Sequence, residues 1–388
     1  MLPTRDATPA DRAVRYRHMT ETNGAVPGEA AIPQMTGQPL WQRLLRAAVT
    51  ILVLVLVFGF VLPKLADYRT VVDHIGDIDP IQWLLLTIFA GWFLIAYVFV
   101  FMSTLPGLRF REGFVVQTTA TAINNSLPAG GAIALPVTYS QFLSWGFAPE
   151  AVTAALLTAG VWDQLARLAL PVLSVAAIAI TGEAIWWMWL VSLGGIAVVV
   201  GAIWLISLVL RSQSAAVALG NRLDKIVNWG LAKIKRNRVD VTTATLKFRD
   251  NVRHVALHRW RWVTAATVAN HASMAALFVV SLRAVGVSSI DVSLPWLLLA
   301  FSLGRLLVII PVSPGGLGLV DLGFIGLVSL GWGAGADADL ISAGVLLYRA
   351  LSFLPPIQIG LGSWVFWRAN RSWRRDWQVE RRGDVVPT

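Results

Sequence analysis

Pro311-Val-Ser-Pro-Gly-Gly-Leu-Gly318 interrupts an otherwise apolar stretch, residues 295–331, and its reading decides the fold. Two prolines and three glycines in eight residues cannot continue a helix. An apolar arm containing Arg305 precedes the break, and a second short arm containing Asp321 follows it. The same plan occurs earlier, in residues 113–145, where Gln117, Asn124, Asn125 and Ser126 lead to a break at Pro128, Gly130, Gly131 and Pro136. Arms of about 15 residues reach roughly 22 Å as helix, short of the roughly 30 Å of hydrocarbon in a bilayer. Both stretches therefore read as re-entrant hairpins, which membranes tolerate only where protein or a water-filled cavity covers the free backbone groups.

Composition makes lipid the solvent. Of 388 residues 56% are hydrophobic and 14% charged, and the mean hydropathy is +0.64, beyond what a water-soluble domain sustains. Apolar runs from Ala47 to Pro63, Ile81 to Leu105, Ala151 to Ile180, Ala184 to Leu210, Trp262 to Val287 and Ile341 to Trp367 are expected to span. Tryptophans such as Trp186, Trp187, Trp189, Trp260, Trp262, Trp364 and Trp367 cluster where those runs meet polar residues, the depth at which indole rings anchor. Residues 1–42 carry no apolar period and read as a disordered tail, and no cleavable signal peptide is evident before Ala47. The net charge of +10 sits in loops and tails, without a stacking platform or groove-reading motif, which argues against nucleic acid. Without cysteine there is neither a disulfide nor a thiolate metal site.

Charge then chooses between hairpin and span. Arg43 and Arg46 put the amino end in the cytoplasm, and Asp67, Asp73, Asp77 and Asp79 mark the loop after the first span as external. Residues 211–261 carry twelve Lys/Arg against three Asp, a net of +9. A single crossing by 113–145 would put that basic loop outside, against the positive-inside rule, whereas an inward-opening hairpin keeps it inside. The same reasoning makes 295–331 an outward-opening hairpin and leaves the basic tail 368–388 in the cytoplasm, with Arg283 the one charge out of place.

The order span, hairpin, span thus occurs twice with opposite orientation. Gly131 to Arg167 is 36 residues and Gly316 to Arg349 is 33, and a proline follows each arginine, Pro171 and Pro355. Inverted repeats with paired broken segments characterise alternating-access transporters, whose site lies between the repeats near the midplane. Within that region stand Asp163, Arg167, Arg305, Asp321 and Arg349. Charges cost about 2.5 to 3.5 kcal/mol each at a helix centre, so all must face protein or water. Two aspartates against three arginines leave one arginine unpaired, as an anionic headgroup requires. Asp163 and Arg167 are four apart and able to pair. The tip glycines Gly130, Gly131, Gly315 and Gly316 are expected to supply an N–H cradle for phosphate through positive φ and close approach.

The run Pro311 to Asp321, followed by Leu346-Leu-Tyr-Arg349, resembles the signature of the lysylphosphatidylglycerol synthase transmembrane, or flippase-like, family. Asn124 to Gly131 and Asp163 to Arg167 are similar to its other half, and the resemblance covers residues 43–367. It implies lipid movement: aminoacylated phosphatidylglycerol in two-domain members, polyprenyl-phosphate sugar carriers or other envelope lipids elsewhere. Two departures stand out. Asp321 occupies a position commonly Glu, and Ala132 to Ser140 lacks the basic residue that commonly follows the first glycines.

The lysylating domain of two-domain relatives is not expected in the roughly 20 residues after Trp367, so no enzymatic activity is expected. His254 and His258 stand at metal-compatible spacing, yet no third ligand is near and a solvated basic face is the reading preferred. Asn270 and His271 suit either a proton relay or an interhelical hydrogen bond. No nucleotide loop or nucleophile motif is present, and neither cofactor nor metal is expected.

The expectation is an all-α bundle of about six spans and two hairpins in the cytoplasmic membrane, both termini cytoplasmic, acting as a lipid flippase. Its expected binding residues are Asn124, Asn125, Pro128, Gly130, Gly131, Asp163, Arg167, Arg305, Ser313, Pro314, Gly315, Gly316, Asp321, Tyr348 and Arg349. The expected partners are a lipid with an anionic headgroup and an envelope-lipid synthase. The alternatives are a scaffold for such an enzyme and a small-solute secondary transporter.

Overall fold

The computed structural model describes residues 73–127, 130–181, 186–233, 240–307, 316–370 and 373. Among these there is no strand, and the helices run in the order α1 (Pro80–Thr104), α2 (Phe110–Ser126), α3 (Gly130–Ser144), α4 (Pro149–Ile180), α5 (Trp186–Arg211), α6 (Gln213–Lys233), α7 (Val241–Ala284), α8 (Leu294–Leu307), α9 (Leu319–Trp332) and α10 (Ala338–Ala369). Five segments are long and apolar enough to cross a membrane: α1, α4, Leu193–Arg211 of α5, His258–Ala284 of α7, and α10. They coincide with five of the six expected spans, and the sixth, Ala47 to Pro63, lies outside the described residues. The protein is an all-α polytopic membrane protein.

Local chemistry sets the helix starts. Pro80 occupies the first turn of α1, where its missing N–H costs nothing, and the Asp79 N–H donates to Gln82 Oε1 at 3.1 Å. Asp240 and Asp337 cap α7 and α10 by accepting from the Thr243 and Leu340 N–H groups at 2.9 Å each. At α9, where Gly318 precedes the helix with φ +89°, the Gly318 N–H donates to Asp321 Oδ2 at 2.8 Å.

The short arms are helices α2 and α3, of 17 and 15 residues, and α8 and α9, of 14 residues each. Even the longest reaches only about 26 Å. Pro136, expected to break the chain, instead lies inside α3. It is the seventh residue of that helix, so the bond it forfeits is to the Ala132 carbonyl in the first turn. The first interruption is thus confined to the segment between Leu127 and Gly130.

Packing brings α1 against α7, α2 against α10, and α8 against α4. At Gly360 of α10 the helices approach so closely that an added β-carbon would lie 2.6 Å from Ala122 Cβ and 2.8 Å from the Thr118 carbonyl carbon. Small residues permit such crossings in membranes, where packing rather than hydrophobicity holds helices together. The Thr118 hydroxyl donates to Ser363 Oγ at 3.0 Å along the same seam. One core forms around Phe101, Phe142 and Trp145 of the first half. The other stacks Phe278, Phe301, Phe324 and Tyr348 from α7 to α10, with the Phe278 and Phe324 rings 4.8 Å apart.

Residues 211–261, expected as a loop, are mostly helical. Helix α6 and the first half of α7 pack together, joined where Asp224 accepts from the Val241 N–H at 3.0 Å. With 44 residues α7 is about 66 Å long, twice a bilayer's hydrocarbon, which is why its polar half escaped an apolar search. Arg283, the misplaced charge, closes the turn after α7 by donating to the Val287 and Val292 carbonyls at 2.8 Å each.

Candidate functional site

Seven helices, α1 to α4, α7, α8 and α10, enclose a cavity of about 420 Å³. Each contributes one face at helical spacing. On α2 that face is Gln117, Ala120, Thr121 and Asn124; on α4 it is Leu156, Gly160, Asp163 and Arg167; on α10, Tyr348, Arg349, Ser352 and Phe353. Arg305 enters from α8, Asn270 and Met274 from α7, and Tyr97 from α1. Of the expected residues, Asn124, Asn125, Gly131, Asp163, Arg167, Arg305, Tyr348, Arg349 and Asn270 meet in this one space.

Both aspartates are consumed by protein partners. Asp163 Oδ2 lies 2.8 Å from Arg167 Nε, one turn along α4. Asp163 Oδ1 lies 3.3 Å from Nε2 of the buried His271. Pro171 has no N–H to give the Arg167 carbonyl, so α4 is loosened where its arginine enters the cavity. Asp321 is 1% exposed and does two things at once: it accepts the Gly318 N–H and forms an ion pair with Arg349 Nε. Its carboxylate thereby ties the start of α9 to α10. The Arg349 guanidinium also lies over the Phe353 ring, 5.0 Å from its centroid, a cation–π contact.

Arg305 differs. Among the described residues it has no carboxylate within ion-pair distance; its buried Nε, like that of Arg167, has no hydrogen-bond partner there. The expected surplus arginine exists, but it is Arg305, not Arg167 or Arg349, both of which are neutralised by a neighbour. Three arginines and two aspartates leave this cluster with one net positive charge.

The tip glycines need correction. Gly130 and Gly131 have helical backbone in the first turn of α3 and are absent from the positive-φ glycines. Gly130 is required instead by contact: a β-carbon there would meet the Asn124 Cα at 2.6 Å and its carbonyl oxygen at 2.8 Å, so the two arms cross almost backbone to backbone. Gly131 lines the cavity and leaves room for a β-carbon 3.4 Å from Asn124 Oδ1. Gly316 does have positive φ, +75°, but does not line the cavity. Pro128, Ser313, Pro314 and Gly315 lie outside the described residues.

His258 is exposed, as a solvated face requires, and the His254 side chain lies outside the described residues. Among the described residues no three His, Cys, Asp or Glu side chains converge. Gln117 and Thr121, joined by a 3.0 Å bond from Nε2 to Oγ1, were legible as polar residues four apart but not as cavity walls. Gly160 and Tyr97 carried no sequence signal at all.

A polytopic helical membrane protein with a charged, net-cationic cavity among its helices is the class that fold and site define. The sequence profile of the lysylphosphatidylglycerol synthase TM region matches residues 43–360, most of the chain, and the protein belongs to that family. No curated protein matches the sequence.

Proposed function

We propose that this protein holds the headgroup of an anionic membrane lipid in the cavity and moves that lipid between the leaflets of the cytoplasmic membrane. The observation that carries the reading is Arg305, which has no carboxylate partner among the described residues: a cation kept inside a membrane-spanning bundle without a counter-ion costs several kcal/mol unless a ligand supplies one. The ion pairs Asp163–Arg167 and Asp321–Arg349 then act as positioning elements, holding their arginines along the wall while Arg305 takes the phosphate. Asn124, Asn125 and Gln117 supply neutral hydrogen bonds to headgroup hydroxyls.

Inverted repetition supports movement rather than static binding. The pairing of α1 with α7 is the self-contact of equivalent elements, and α2 on α10 corresponds to α8 on α4. A two-fold axis in the membrane plane generates such a set of contacts, and its hairpins α2/α3 and α8/α9 then open to opposite sides. In this reading the amino terminus, residues 211–261 and the carboxy-terminal tail are cytoplasmic, and the protein performs no bond-making step of its own. The family supports lipid handling as the substrate class.

The test is the lipid that accompanies the purified protein. Mass spectrometry of the detergent-solubilised protein is expected to find an anionic lipid enriched over its membrane abundance, and Arg305→Gln is expected to lose that enrichment. Equal lipid composition in protein and bulk membrane would remove the headgroup site.

A further inference from the structure

An apolar groove of about 720 Å³ runs along α4, walled by Leu157, Leu165 and Leu168, by Ala202 and Ile206 of α5, and by Phe248 of α7. Two of its polar neighbours are satisfied within the protein: the hydroxyls of Tyr139 and Thr153 both donate to the Pro149 carbonyl, at 3.1 and 2.8 Å. Leu135, Leu156 and Gly160 line both this groove and the charged cavity. The two spaces therefore meet between α3 and α4. There Gly160 is exposed, and a β-carbon added to it would meet nothing within 4 Å. That gap is free of the packing that usually explains a glycine inside a long helix, which otherwise costs about 1 kcal/mol relative to alanine.

We propose that the groove receives one acyl chain of a glycerophospholipid whose headgroup occupies the cavity, and that Gly160 is the portal through which the lipid joins the two. The inference rests on the headgroup reading above and extends it to the apolar end of the substrate. A polar, cationic space adjoining a largely apolar one reproduces the division within the lipid itself. At about 30 Å³ per group, a water molecule's share of the liquid, the groove has room on the order of twenty methylene-sized groups. That suits a single fatty-acyl chain.

Gly160 lies one and two helical turns before Asp163 and Arg167 on the same face, so a chain leaving the headgroup site passes it first. A large side chain there blocks the passage while improving helix propensity, which separates loss of binding from loss of fold. Ala202, on the opposite wall, gives an independent obstruction.

The experiment measures binding of dioleoylphosphatidylglycerol and of its water-soluble headgroup, glycerophosphoglycerol, to detergent-solubilised full-length protein by native mass spectrometry. Ala202→Phe, which lines only the groove, is expected to weaken the diacyl lipid at least tenfold and leave the headgroup's affinity unchanged, and Gly160→Phe, which lines both spaces, is expected to weaken the diacyl lipid at least tenfold. Gly194→Phe, at a helical glycine equally free of neighbours but outside the groove, is expected to bind both as wild type does. Wild-type affinity for the diacyl lipid in both obstructed variants overturns the groove and leaves the headgroup site standing. Failure of the wild type to bind either probe overturns both.

Discussion

Replacing Arg305 by glutamine removes the cavity arginine that pairs with no carboxylate among the described residues, and its effects on binding and on stability are expected to diverge. A unit charge pair at 4 Å and an effective dielectric of about 20 attracts by about 4 kcal/mol, before desolvation is subtracted. Charge-assisted hydrogen bonds measured net of that cost contribute about 1.5 to 3 kcal/mol. At 1.4 kcal/mol per factor of ten, anionic lipid is expected to bind about ten- to a hundredfold more weakly to Arg305→Gln. Arg305→Lys keeps the charge but not the planar fork, so an intermediate loss is expected. The fold is expected to be unharmed, because no carboxylate among the described residues is left unpaired by the change. Titration of a phosphatidylglycerol analogue, paired with a thermal unfolding curve of the lipid-free protein, reads both. Unchanged affinity in Arg305→Gln, or a collapse of the lipid-free protein, refutes the assignment of Arg305 to the ligand.

Asp321→Asn is expected to do the opposite. It removes the carboxylate paired with the buried Arg349 and weakens the start of α9, at about 3 to 5 kcal/mol, and pairing it with Arg349→Met is expected to recover part of the loss in folded yield. Gly360→Val is expected to destabilise the α2–α10 crossing by about 1 to 3 kcal/mol, whereas Gly362→Val, which meets nothing within 4 Å, is expected to be near neutral in the same thermal unfolding assay. Single cysteines are clean reporters in this cysteine-free chain: position 148 is expected to label from the cytoplasm and position 337 from outside, and external labelling at 148 would exclude an inward-opening first hairpin.

The spans and short arms were legible because lipid imposes length and hydropathy on anything that crosses it. The charged cluster was legible for the same reason, since no other pressure places Asp163, Arg167, Arg305, Asp321 and Arg349 among apolar neighbours. Partner choice was not. Whether Arg167, Arg305 or Arg349 carries the surplus charge depends on which helices pack together, and Asp321 selects Arg349 only because α9 and α10 adjoin. The role of Gly130 was hidden because its requirement comes from the Asn124 backbone across the interruption, not from its own φ. The helical character of residues 211–261 was hidden by their charge, which a search for apolar runs treats as loop.

Transbilayer movement of an anionic lipid in vesicles reconstituted with the purified protein tests the account most directly. A phosphatidylglycerol with a quenchable headgroup label, distributed over both leaflets, is exposed to a membrane-impermeant quencher. Wild-type protein is expected to bring the inner-leaflet pool to the quencher faster than protein-free vesicles do, and Arg305→Gln to return the rate towards that background. Inner-leaflet label that stays protected with wild-type protein, or a rate that survives the loss of Arg305, contradicts the account.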